Sequence, residues 1–413
     1  MLEHVLCSQI MDHCDKNNIL TNAQFGFRKC RSCETQLLLT IQDLARTTDY
    51  KGQTDVILLD FAKAFDKVPH HRLLHKLKHY GIDGNINRWV KAFLENRTQQ
   101  VILDGTTSTS APVLSGVPQG SVLGPLLFLL FINDLPDCIS AGTTARLFAD
   151  DCILYRTINT DEDASLLQQD LDNLQQWEND WHMSFHPEKC QVIHVSNKRK
   201  LIKKPYVIHN HTLEEVDSAK YLGVNIHKNL SWNHHINCIT NKVHSTRAFL
   251  QRNIYQCPRK TKELCYKTLV RPILDYSSII WDPSTANNIK KLEMVQRRYA
   301  RFIFGEYRTT SSVTAMVNQL KWTSLQERRA QAKAAMIYRI TNNLVDVPHT
   351  FLTPTVALRG HSSRYLVPFA RTDIYRYSFF PDSIRIWNRL PQDLVNRTSL
   401  DSFRVGVQTV QLR

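Results

Sequence analysis

Three aspartates occupy positions where a carboxylate is costly. Asp60 ends the apolar run "DVILLD", and Asp150 and Asp151 stand side by side inside "RLFADDCILY". Like charges this close raise one another's pKa, and withdrawal from water raises both further, so an opposing charge must compensate them. Hard carboxylate oxygens suit Mg²⁺, which takes one or two carboxylates together with waters and substrate phosphates. A bound divalent cation also keeps the acids ionised. With two ions about 3.5 to 4 Å apart, one activates an attacking hydroxyl while the other steadies the leaving oxygen, and in-line phosphoryl transfer is the reaction class that follows. Neighbouring side chains on a strand point to opposite faces, so Asp150 and Asp151 reach one ion only from a turn; Asp150 is expected to be the stronger ligand.

The elements that must position these acids are legible around them. "TDVILL" reads as a strand buried on both faces that stops at Asp60, and "FAKAFDKV" continues as a short helical pattern. Asp66, ahead of Pro69, reads as a cap or fold residue. The "AD" junction suits a hairpin between two strands, and if these neighbour the strand ending at Asp60, the three carboxylates converge at one sheet edge. "RLLHKLKHYGI" and "INRWVKAFLENR" read as amphipathic helices, "QQVILDGTTS" as a strand entering a hairpin, and "LSGVPQGSVLGPLLFLLFINDL" as a loop leading into an apolar helix. The helix "ASLLQQDLDNLQQWENDWHM" and the strand "KCQVIHVS" follow. Strands and helices mix irregularly, which predicts an α+β fold.

The 413 residues carry a formal charge of +14. Between Lys228 and Arg339 there are 20 Lys and Arg against 6 Asp and Glu, and the remainder of the chain is balanced. Cations interleaved with aromatic and aliphatic residues, as in "IKKLEMVQRRYARFIF", suit a helical surface that tracks a phosphate backbone. No apolar run reaches the length of a membrane span, and no basic region leads into an apolar one at the amino terminus, so an intracellular protein without a membrane partner is expected. The ten cysteines are scattered, and the "CRSC" pair, Cys30 and Cys33, lacks a second ligand pair at zinc spacing; both read as ordinary thiols.

"VILLDFAKAFDKVPH", "LSGVPQGSVLGPLLFLLFINDLP", "RLFADDCILY", "MSFHPEKCQVIHVS" and "KYLGVNI", in this order, resemble the successive palm motifs of a reverse transcriptase. With "NAQFGFRKCRSCETQLL" and the basic tail, the chain is similar to non-LTR (LINE-type) retrotransposon polymerases of the jockey-like and chicken-repeat-like lineages. The resemblance implies a right-hand polymerase fold: partial fingers over 1–54, a palm with an antiparallel sheet over 55–227 that includes a finger-derived segment near 70–112, a helical basic thumb over 228–340, and an appended region over 341–413. It implies an RNA-directed DNA polymerase that adds dNTPs to the 3′-hydroxyl of a DNA primer on an RNA template, with two Mg²⁺ ions, or Mn²⁺ in their place, acting in the nucleus.

Residue by residue, the resemblance makes Asp60, Asp150 and Asp151 the metal-binding catalytic acids, with the Phe61 carbonyl completing a metal's shell. Phe65 would lie beneath the incoming sugar and exclude a 2′-hydroxyl; the competing reading is a core phenylalanine. RNA-directed RNA polymerases carry a smaller or polar residue there, which disfavours that third reading. Gln119 and Gly120 would meet the nucleotide and template, Lys189 would protonate departing pyrophosphate, and Arg28 would contact triphosphate or template. Tyr221, Leu222 and Gly223 would form the primer grip. Members usually carry an endonuclease and a finger arginine ahead of the equivalent of "LEHVLCSQIMDHC", so an amino-terminally truncated chain is expected, with an inactive nucleic-acid-binding remnant as the alternative.

Overall fold

β1 (Gln53–Leu59) is buried along almost its whole length, as a strand covered on both faces must be. The computed structural model describes residues 1–355 and 361–413, which divide into two compact units, Met1–Gln36 with Gly52–Asp217 and Leu37–Lys51 with Ser218–Arg413. In the first unit, β1 is the centre of a five-stranded sheet completed by β2 (Thr143–Phe148), β3 (Asp151–Thr157), β4 (Gln191–Ser196) and β5 (Glu214–Glu215), in the order β5-β4-β1-β3-β2. All pairings are antiparallel except β4 with β5. Leu59 faces Cys152 on one side and Leu58 faces Gln191 on the other, so the end of β1 meets the starts of β3 and β4 at a single edge.

Buried Asp55 fixes that register. Its Oδ1 lies 2.8 Å from both Gln53 Nε2 and His194 Nδ1, and its Oδ2 accepts the Tyr206 hydroxyl at 2.6 Å. Burial and the neighbouring carboxylate together push the Tyr206 phenol well above its usual range. Helices α1 (Leu2–Lys16), α2 (Leu123–Phe131) and α3 (Asp161–Trp181) contribute to the core around the sheet. The apolar helix foreseen after the glycine and proline loop is α2, a core helix with all but Pro125 buried. Among the described residues no helix is long and apolar enough to cross a membrane. α3 begins at a capping box in which Thr160 and Asp163 exchange side-chain and backbone bonds.

The second unit opens with a hairpin of β6 (Ser218–Tyr221) and β7 (Val224–His227) and continues through α4 (Asn233–Ile254), α5 (Ala286–Phe304), α6 (Leu325–Thr341), α7 (Phe379–Trp387) and α8 (Leu400–Val407). Asn225 N donates to His235 Nδ1 on α4, which joins the hairpin to the helices. The described residues of 341–413 fall in this same unit. Asp282 takes Arg329 Nε at 2.6 Å, Lys333 Nζ at 2.8 Å and Arg413 Nη2 at 3.0 Å, while Lys333 also reaches Asp382 on α7 at 2.7 Å. Asp49, in the helix Cys33–Asp49, accepts the backbone amides of Arg371 and Thr372.

This network divides the basic segment. Arg329 and Lys333 are buried counter-ions to acids, and Lys262 is buried between the rings of Tyr255 and Phe302. Lys228, Lys242, Arg252, Arg259, Lys260, Lys290, Lys291, Arg298, Arg308 and Lys321 are the exposed cations of the segment.

Candidate active site

β2 and β3 are joined by a two-residue turn, Ala149–Asp150, with Phe148 paired to Asp151. The turn that the adjacent acids require is therefore present, and Asp151 is the first residue of β3. Ala149 holds a φ of 52°, in the left-handed region that costs an L-residue about 1 to 2 kcal/mol. Asp60 follows β1 at the same edge, and its carbonyl accepts His186 N at 2.7 Å while Ala62 N donates to Ser184 O at 2.8 Å. The intervening Phe61 makes neither of these bonds. It forms an antiparallel bridge with Phe185, and the two rings stack at 4.4 Å.

The three carboxylates feel one another. Burial pushes Asp150 and Asp151 above the ordinary carboxylate range; the negative charge of Asp60 adds to both, and that of Asp150 adds to Asp151. Their tips reach solvent, yet the surrounding protein thins the water around them. Lys189 Nζ stands 3.4 Å from Asp60 Oδ2, a cation already drawn to the acids. Among the described residues no group of three or more His, Cys, Asp and Glu side chains is already arranged to hold a metal ion. The convergence expected from sequence is thus electrostatic rather than a closed cage. A donor set of solvent-reaching carboxylates, mutually repelling and partly desolvated, fits Mg²⁺, which draws its remaining ligands from waters and phosphates.

The "SGVPQG" loop is fastened to the turn that follows Asp60. Asp66 closes a short 3₁₀ turn, Ala64–Asp66; its Oδ1 accepts Gln119 Nε2 at 2.8 Å and its carbonyl accepts Ser115 Oγ at 2.8 Å. Gly116 has a φ of 92°, and a Cβ there would meet Asp66 Cα and O at 2.7 Å, so only glycine lets the two loops touch. His70 Nε2 lies 2.8 Å from the Gly116 carbonyl. Gly120 also has positive φ, 80°, and opens onto space free of neighbours within 4 Å. Beside the loop runs an open groove of about 810 Å³, lined by Lys63, Lys67 and Arg97 together with Gln119. Phe65 is half-buried, with its ring stacked on Phe128 of α2 at 4.3 Å. Arg28 turns back on its own segment, donating from Nη1 to Thr21 O at 3.3 Å.

Tyr221, Leu222 and Gly223 lie in the second unit, at the β6–β7 turn. Leu222 and Gly223 have φ of 43° and 82°, the double left-handed geometry of a tight hairpin. The Tyr276 hydroxyl donates to Leu222 O at 2.9 Å, and a Cβ at Gly223 would meet the Tyr276 ring at 2.9 Å.

The profile described as reverse transcriptase (RNA-dependent DNA polymerase) matches residues 1–226, more than half of the chain, and the chain belongs to that family. It is similar to the probable RNA-directed DNA polymerase from transposon X-element of Drosophila melanogaster (27% identical), to the RNA-directed DNA polymerase from mobile element jockey of the same fly (28%) and to the probable RNA-directed DNA polymerase from its transposon BS (29%). These matches cover 73 to 74% of this chain and 34% of each relative, so the chain spans about a third of their length. They bear out the resemblance to jockey-like elements. Among solved structures, telomerase from Candida albicans in complex with a TWJ fragment of telomeric RNA aligns with 99% of this chain and 58% of its own, at 11% identity and a TM-score of 0.44.

Proposed function

We propose that this chain is an RNA-directed DNA polymerase, extending a DNA primer with dNTPs on an RNA template. The observation that carries the reading is the Ala149–Asp150 turn, which sets two aspartates beside Asp60 in a segment matched by the reverse transcriptase profile. Asp60, Asp150 and Asp151 would hold two Mg²⁺, with the Phe61 carbonyl as a further oxygen ligand and Mn²⁺ as a substitute. Bound there, the ions supply the charge that activates the primer 3′-hydroxyl and neutralises the leaving pyrophosphate. The chain's own groups do the rest. Lys189, already drawn to Asp60, would hand a proton to pyrophosphate, and the fastened loop would present Gln119 and Gly120 to the nucleotide and template. Arg28 would steady triphosphate or template once released from Thr21, and Tyr221, Leu222 and Gly223 would press on the primer end. The exposed cations of α4 and α5 would follow the duplex backbone. By family resemblance, the work would be done in the nucleus.

Sugar choice tests the reading. Phe65 rests on Phe128, so its ring has a fixed support from which to exclude a 2′-hydroxyl. On poly(rA)/oligo(dT), wild type is expected to prefer dTTP to UTP, and Phe65→Ala to reduce that preference about 100-fold or more while retaining dTTP incorporation, because a ring-sized obstacle is removed. Equal use of UTP by wild type would overturn the assignment. Unchanged selectivity in Phe65→Ala would make the residue a core phenylalanine.

A further inference from the structure

The segment Ala23–Gly26 is bonded to the outer edge of β2. Phe25 N donates to Leu147 O at 2.7 Å and Leu147 N to Ala23 O at 2.8 Å, making a parallel bridge between Gln24 and Leu147. Gln24 is buried, and its Oε1 accepts two amides, Gly26 N at 2.7 Å and Ala149 N at 2.9 Å. Its Nε2 makes no hydrogen bond, so the acceptor is the working end of the side chain. Gly26 is packed so closely that a Cβ would lie 2.5 Å from Ala149 N.

The segment is anchored at both ends. Arg31 Nη1 donates to the carbonyls of Asn22 and Gln24 at 2.9 and 2.6 Å, and the Asn133 side chain bonds Thr21 N and Ile19 O, each at 2.8 Å. Within this held segment, Gln24 Oε1 is the side-chain atom that bonds the amide of the left-handed Ala149, immediately before the two acids.

We propose that Gln24 is a positioning residue: its Oε1 holds Ala149 left-handed and thereby aims the carboxylates of Asp150 and Asp151 at the metal position. Alanine without that bond favours negative φ, which swings the peptide that carries Asp150. The role rests on the polymerase reading for its purpose, but its consequence is visible in metal binding alone.

The test uses Gln24→Met, which keeps length and removes the acceptor, and Gln24→Met combined with Ala149→Gly, since glycine takes positive φ without support. Mn²⁺ binding to the nucleotide-free chain is followed by electron paramagnetic resonance, alongside the Mg²⁺ concentration for half-maximal primer extension and the thermal midpoint. Gln24→Met is expected to weaken Mn²⁺ binding and raise the Mg²⁺ requirement about 10-fold or more, as loss of a group that orients a ligand does. The added Ala149→Gly is expected to restore most of both. Wild-type Mn²⁺ affinity in Gln24→Met would overturn the proposal. So would a fall in midpoint with metal binding that Ala149→Gly fails to restore, which is the mark of a purely structural role. If the Mn²⁺ pattern holds while wild type extends no primer, the polymerase reading fails and the positioning role stands.

Discussion

Asp150→Asn is expected to abolish Mg²⁺-dependent primer extension while RNA binding and folding survive. The loss should exceed about 100-fold, because removing a residue that merely orients a ligand already costs 10- to 100-fold. Asparagine fills the same space but carries no charge, so the turn can stay in place while its affinity for a divalent cation falls. The basic groove beside the loop and the exposed cations of the second unit are untouched, and filter binding to RNA should match wild type. Thermal stability should not drop, since the substitution removes a charge that Asp60 opposes. The elevated acids also make metal binding sensitive to pH. Metal binding needs their ionised forms, so the Mg²⁺ concentration needed for extension should rise, as pH falls, from a higher pH than an ordinary carboxylate would dictate. Substantial extension by Asp150→Asn would remove it from the metal site.

Lys333→Met is expected to be the most damaging change to stability. Lys333 is 1% exposed and bridges Asp282 and Asp382, acids separated from it by 51 and 49 residues. Breaking a buried pair by removing one partner typically costs about 3 to 5 kcal/mol. Arg329 and Arg413 still face Asp282 and Arg413 still faces Asp382, so the loss is expected at the lower end, about 3 kcal/mol. For a unit of this size that is on the order of 10 °C in thermal midpoint. The pH dependence has a definite sign. Burial alone would raise Asp282, but Lys333, Arg329 and Arg413 outweigh it and hold the carboxyl down at about 2. A depressed acid stabilises the fold above its unfolded pKa of about 4, and that contribution is lost as pH falls through about 2. Wild type should therefore lose stability in this window, and Lys333→Met less steeply, because Arg329 and Arg413 alone then hold Asp282 down. Midpoints that coincide for the two proteins at neutral pH would contradict a supporting role for the network.

The same residues show what was legible in the sequence. The unbroken apolar run before Asp60 specified a strand covered on both faces, and the need for two adjacent acids to reach one ion specified a turn. Both follow from local pattern, and both are present as β1 and the Ala149–Asp150 turn. What pattern could not reveal are bonds between distant segments. Asp66 reads as a cap or fold residue, and pattern names no partner for it; its carboxylate holds Gln119, 53 residues away. Gln24 drew no attention within "NAQFGF" because its partner, Ala149, lies 125 residues on. Arg329 and Lys333 are four apart on a helix and read as one more solvated basic face until Asp282 and Asp382 are brought against them. The bonds that tie residues 341–413 to the rest of the second unit, such as Asp49 with Arg371 and Thr372, likewise join segments remote in sequence.

The central claim is that Asp60, Asp150 and Asp151 serve nucleotide addition. It is tested most directly by wild-type extension of oligo(dT) on poly(rA) with dTTP as Mg²⁺ is raised from zero. The expected result is incorporation that is absent in chelator, rises with Mg²⁺ and is supported by Mn²⁺. RNA binding without incorporation at any Mg²⁺ or Mn²⁺ concentration would contradict it and leave a chain that holds nucleic acid without copying it.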